Sequence, residues 1–159
     1  LFRTSTFKTL GIDSREEFSD AEYTALVTQY PDINALWVLH KNWAASKAQL
    51  ESKQAQLAST QAANAALPDN TEEITTLTAY IADIDTLLAD PETGLADKIK
   101  YYRPYKAEYE VQVAELQAAQ TPVDTSELEA EIATIVSIVA SKLSDLNALA
   151  SQMGLDDYV

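Results

Sequence analysis

The stretch from Thr125 to Met153 limits what this chain can fold into more than any other. Leu128, Ile132, Ile135, Val139, Leu146, Leu149 and Met153 recur at alternating steps of four and three, with Lys142 in the slot between Val139 and Leu146. Val136, Leu143 and Ala150 form a second row beside the first, and Ile138 lies off both. A helix turns such spacing into one continuous apolar face. The ends are marked too. Asp124 with Glu127 has the capping-box pattern just after Pro122, and Gly154 followed by Leu155 is the order of a left-handed glycine cap and its hydrophobic neighbour. About 29 residues at a rise of 1.5 Å make a helix of roughly 43 Å. A face of that length needs other helices against it.

The bulk composition agrees with a helical chain. A length of 159 residues is enough for one domain with a real core, and a hydrophobic fraction of 47% argues against disorder despite a net charge of −14. There are only three Gly and five Pro, and all five Pro fall at or near places where the helical pattern changes, so connections are few. Without Cys there is neither a disulfide framework nor a thiolate metal site. No run of apolar residues approaches the ~18 of a membrane span, and no signal-like region opens the chain, so the expectation is a soluble protein without membrane insertion. The chain begins with Leu1, and Met153 is its sole Met, which reads as a processed chain or part of a longer one.

Charge is unevenly placed. Residues 32–67 carry a net +1, whereas residues 69–159 carry −13. Such a surface repels phosphate backbones and anionic lipid and suits a basic partner, although solvated helix faces account for most of it.

Residues 1–13 contain Phe2, Phe7, Leu10 and Ile12 with no helical period and read as an extended arm. Ser14 with Glu17 and Ser19 with Glu22 are overlapping start signals. The second is flanked by Phe18 and Tyr23 as a hydrophobic staple, opening a helix over about 19–30 that buries Tyr23, Leu26 and Tyr30. Pro31 ends it. The longest helix follows, 32–66, with Leu36, Trp43, Leu50 and Leu57 as a heptad seam and Lys47, Gln54 and Gln61 in the intervening slots. Ala44, Ala48, Ala55, Ala58, Ala62 and Ala65 give it a small-residue side. Its far half has little core of its own, so it is expected to lie on a partner or project. Asn70 with Glu73 reads as a capping box for a helix over 71–89, in which Ile74, Leu77, Ile81, Ile84 and Leu88 keep an unbroken 3–4 pattern. Leu95, Ile99, Tyr102, Tyr109, Val113 and Leu116 hold one register across Pro104, predicting a helix over 94–120 kinked there. With the last helix, 125–153, the fold class is all-α. The expected form is an elongated up-down bundle with coiled-coil-like heptad packing, an N-terminal arm at 1–13 and one helical domain over 14–159.

Chemistry-bearing residues are sparse. His40 is the single His, beside Leu39 and Trp43, and reads as structural rather than as a ligand. Asp83 and Asp85 point about 200° apart on a helix and lack the glycine-centred loop of a calcium site. Tyr101, Tyr102, Tyr105 and Tyr109 interleave with Lys98, Lys100, Arg103 and Lys106, a pattern that can grip nucleic acid, but Asp97, Glu108 and Glu110 crowd it. Tyr and Arg at a kink fit a protein contact better. No phosphate loop or nucleophile motif appears, so no catalytic residue, cofactor or metal site is assigned.

The leading expectation is a non-enzymatic structural or assembly subunit of a larger particle, for instance a virion or phage neck or tail component. Its partners are other protein subunits or copies of itself, without nucleic acid, membrane or small-molecule substrate. Phe2, Phe7, Trp37, Tyr101, Arg103 and Tyr105 are the expected contacts. The main alternative is an extracellular or lumenal bundle that docks through its acidic face. A third reading is an acidic decoy for a basic protein.

Overall fold

In the computed structural model, residues 18–155 are described, and the arm expected over 1–13, with Phe2 and Phe7, lies outside them. The described residues are all-α with no strand. Helices α1 (Asp20–Gln29), α2 (Ile33–Ala65), α3 (Thr71–Ala89) and α4 (Leu95–Asp97) lead into a π-helix (Lys98–Tyr102), then α5 (Arg103–Gln120) and α6 (Ser126–Gln152). They gather into two compact units. Of the described residues, those up to Ala58 and from Thr125 onward form the first, and Ser59–Asp124 the second, so α2 contributes to both.

In the first unit the apolar face of α6 is used as its spacing predicts. Ile135, Leu146 and Ala150 are buried, and Leu128, Ile132, Val139, Leu149 and Met153 are half-buried. Ile138 and Val136 remain exposed, which narrows the second row to Leu143 and Ala150. Gly154 adopts φ +74°, and the Leu155 and Gly154 amides donate to the carbonyls of Ala150 (2.8 Å) and Ser151 (3.0 Å). That is a Schellman cap, and it folds Leu155 into the core. The cluster it joins contains Leu26 of α1 and Ile33, Leu36 and Trp37 of α2. Ser19 and Glu22 form the expected capping box on α1, with the Ser19 hydroxyl and amide both held by the Glu22 carboxylate, which keeps that carboxyl below its ordinary range. Phe18 and Tyr23, the staple pair, pack on the core.

Two other predicted boxes do not close. Asn70 precedes α3, but its side chain donates instead to the Leu116 carbonyl (3.0 Å), and Asp69 accepts from the Thr71 amide. At α6 the cap position is Thr125 rather than Asp124, and its hydroxyl bonds Glu129.

The seam of α2 is also displaced by one residue from expectation. Leu36, Trp43, Leu50 and Leu57 are covered as predicted, but the alternate slots are Leu39, Ser46 and Lys53, while Lys47, Gln54 and Gln61 are exposed. Polar residues can stand in this seam because α6 supplies partners. Lys142 Nζ donates to Ser46 Oγ (2.7 Å) and to the Asn42 carbonyl (3.3 Å), and Lys53 pairs with Glu131 at 2.9 Å. The order of these pairs makes α2 and α6 antiparallel. All six alanines of the small-residue side are exposed.

In the second unit α3 lies antiparallel to α5. Leu77 and Ile84 are buried, with Ile74, Ile81 and Leu88 half-buried, following the expected stripe. Leu95 and Ile99 depart from expectation, being 66% and 54% exposed, while Lys98, Tyr102, Lys106, Tyr109, Val113 and Leu116 line the covered side. The cause is the π-helix. Pro104 has no N–H, and the ladder before it widens so that the Arg103 amide reaches the Lys98 carbonyl five residues back. The extra residue in that turn rotates everything upstream away from the seam. Asn64 closes the unit by clamping Val123 in both directions, donating to its carbonyl and accepting from its amide, each at 2.8 Å.

Three substitutions on α6 test this packing. Leu146→Ala, at a fully buried site, should cost about 2–5 kcal/mol in urea denaturation, whereas Ile138→Ala should stay within ~0.5 kcal/mol. Lys142→Met should leave the midpoint unchanged or raise it. The Ser46 hydroxyl can then donate to Asn42 one turn back, as Thr24, Thr75 and Thr86 already do to their own turns. A loss above ~2 kcal/mol would show that the ammonium itself holds the helices together.

Candidate functional site

The α3–α5 seam of the second unit has two flanks of different character. Helical spacing sets Asp85 on one side of α3 and Tyr80, Asp83 and Leu87 on the other. On the first flank Lys106 of α5 is ion-paired with Asp85, with Glu110 one turn on at 3.6 Å. The Asp85 hydrogen bond, ahead of the opposing effect of burial, raises the Lys106 ammonium above its ordinary value of 10.5.

The second flank is aromatic. Tyr80 of α3 meets Tyr109 of α5 with ring centroids 5.9 Å apart and tilted by 44°, and Tyr105 stacks on Tyr109 at 6.4 Å. Tyr80, Asp83, Ile84 and Tyr109 line a shallow open depression between the two helices. Tyr80 and Tyr105 are half exposed, and Leu87 and Tyr101 stand exposed one or two turns along the same faces.

Tyr105 belongs to this flank. Tyr101 is exposed on the π-helix with Lys100 over its ring at 5.2 Å, and Arg103 is exposed on the far side of the helix from both. Phe2 and Phe7 lie outside the described residues. Trp37 is corrected: it is 3% exposed, stacked on Phe18 at 5.8 Å and enclosed in the first unit's core, so it has no face to offer a partner. An aromatic at the start of an amphipathic helix reads equally as anchor or core, and Phe18 decides it. His40 stacks on Trp43 at 5.7 Å. Sequence reasoning missed Tyr80, which sits alone on its helix and gains meaning only through Tyr109, 29 positions away.

No group of three acidic or His side chains that could hold a metal occurs among the described residues. One helix, α6, is long and apolar enough by length and composition to cross a membrane, while in the first unit it buries Leu146 and Ala150 against the core. Comparison with family models, with curated proteins and with solved structures finds no match.

The ion-paired flank has a pH signature. Because the Lys106 ammonium is raised by Asp85, the pair's contribution to stability is fully present below about 10.5 and is lost as pH rises through the higher folded value. Asp85→Asn should return the Lys106 titration, followed by NMR at its side chain, towards 10.5 and shrink the stability difference between variant and parent at high pH. An unmoved Lys106 titration would mean that Glu110 governs it.

Proposed function

We propose that this chain is a non-enzymatic structural or assembly subunit of a larger protein particle, such as a virion or a phage neck or tail component. It acts through helix packing and an N-terminal arm. In this reading the helices form an elongated up-down bundle with coiled-coil-like packing, and residues 1–13 lie across a neighbouring subunit with Phe2 and Phe7 as anchors. The partners are proteins, copies of this chain included. Nucleic acid, small-molecule substrates, cofactors and membrane insertion have no part in it.

The observation that supports the reading is the set of large apolar side chains left uncovered in the second unit. Tyr80, Leu87, Leu95, Ile99, Tyr101 and Tyr105 are all exposed. Scattered apolar residues are ordinary on a protein surface, but neighbouring turns bearing Tyr, Ile and Leu resemble the centre of a protein interface. A second reading, an extracellular or lumenal bundle docking through its acidic face, draws on α3 and the turn after it, where Glu72, Glu73, Asp83, Asp85, Asp90 and Glu92 follow one another in the sequence with no base among them.

Light scattering on the full chain and on a chain beginning at Ser14 tests the first reading. The expected result is a defined oligomer that dissociates when residues 1–13 are removed. A monomer in both cases would overturn self-assembly and leave docking on a different protein.

A further inference from the structure

We infer that the tyrosine flank of the second unit receives a cationic side chain, arginine above all, from a basic segment of a partner protein. The two flanks of the α3–α5 seam differ in how their charge is satisfied. Asp85 has Lys106, but Asp83, which lines the depression with Tyr80 and Tyr109, has no hydrogen bond or ion pair among the described residues. The depression therefore presents aromatic faces next to a carboxylate whose counter-charge is missing. Aromatic faces attract cations through their quadrupole, and a guanidinium can stack on a ring while bonding a carboxylate. An anion would meet Asp83 and is refused; a purely apolar group would leave the carboxylate without a role.

The cation has to come from outside this unit. Residues 59–124 hold twelve acids and four bases, and all four bases fall between Lys98 and Lys106. Lys106 is engaged by Asp85, Lys98 Nζ donates to the Asp90 carbonyl at 2.7 Å, and Lys100 covers Tyr101. Arg103 stands on the opposite side of its helix from Tyr105. No base within the unit is placed to serve Asp83, and a protein segment carrying arginine complements both the local carboxylate and the surrounding negative charge.

This inference rests on the reading of the chain as a protein-binding subunit, and its test separates the two. The full chain, ¹³C-labelled in its tyrosine rings, is titrated with a short acetylated Gly-Arg repeat peptide and with the same peptide carrying neutral citrulline. The expected result is saturable shifts at the Tyr80, Tyr105 and Tyr109 rings with the arginine peptide and not with citrulline. Asp83→Asn should weaken binding by about threefold or more, and Tyr80→Ala similarly, with unchanged helical circular dichroism. Glu72→Gln, removing an equal charge elsewhere on α3, should have less effect. Equal binding of the citrulline peptide, equal effects of Asp83→Asn and Glu72→Gln, or ring shifts produced instead by phosphatidylcholine vesicles would each overturn the inference. A chain that is monomeric by light scattering yet binds the arginine peptide at these rings would keep it while removing self-assembly. A stable oligomer with no preference for arginine would remove the inference alone.

Discussion

A helix that offers only every third and fourth residue to its neighbour covers those side chains incompletely, and this protein depends on that fact. In the first unit α2 places Leu36, Leu39, Trp43, Ser46, Leu50, Lys53 and Leu57 along one seam. Full burial is confined to one end, where α1, Trp37, Leu146 and the Leu155 turn close around Leu26 and Leu36. Burying each such leucine contributes roughly 1.5–3 kcal/mol, so this apolar plug dominates the unit's stability. Further along, the seam is wet enough to admit charge. Lys53 and Glu131 keep about a third to a half of their side chains in solvent, and a pair of that kind contributes about 0–1 kcal/mol. The polar pairs therefore fix the alignment of α2 and α6 more than they strengthen it. A shift by one turn would set Lys142 against a leucine and leave Glu131 without Lys53.

This division explains what could be read in advance. Stripes made wholly of apolar residues were legible, as in α3 and most of α6, because their period needs no knowledge of the partner. Gly154 was legible because only a left-handed residue continues the chain so that Leu155 turns inward. Ser46 and Lys53 were not, since a polar residue in a seam looks like any surface residue until its partner appears. For Ser46 that partner is 96 positions away in sequence. The misplacement of the seam onto Lys47, Gln54 and Gln61 follows from this. The Asn70 and Asp124 caps failed for a related reason. A capping pattern states that a side chain can bond its own helix, but the Leu116 carbonyl competed for Asn70, and the chain entered α6 one residue later.

Leu95 and Ile99 raise a different matter. Their register is correct for an unbroken α-helix, and a Pro at 104 was visible in the sequence. What the sequence did not reveal is that the backbone would answer it with a wider turn instead of a simple bend. One added residue before Arg103 turns Leu95 and Ile99 outward and brings Lys98 inward, where its ammonium reaches the Asp90 carbonyl.

That same turn shapes the candidate site. A cluster of Lys98, Lys100, Arg103 and Lys106 interleaved with tyrosines looked, as a string of letters, like one basic-aromatic surface. The wider turn and the helix that follows distribute it instead around the axis. Two lysines are spent on Asp90 and Asp85, one covers Tyr101, and the arginine faces away. Tyr109, with Tyr105 stacked on it, is thereby separated from the bases beside it in sequence and set against Tyr80 and Asp83 of a different helix. The resulting surface has the opposite electrostatic preference to the one its letters suggest. It is an aromatic face backed by a carboxylate, suited to accept a cation and not to supply one.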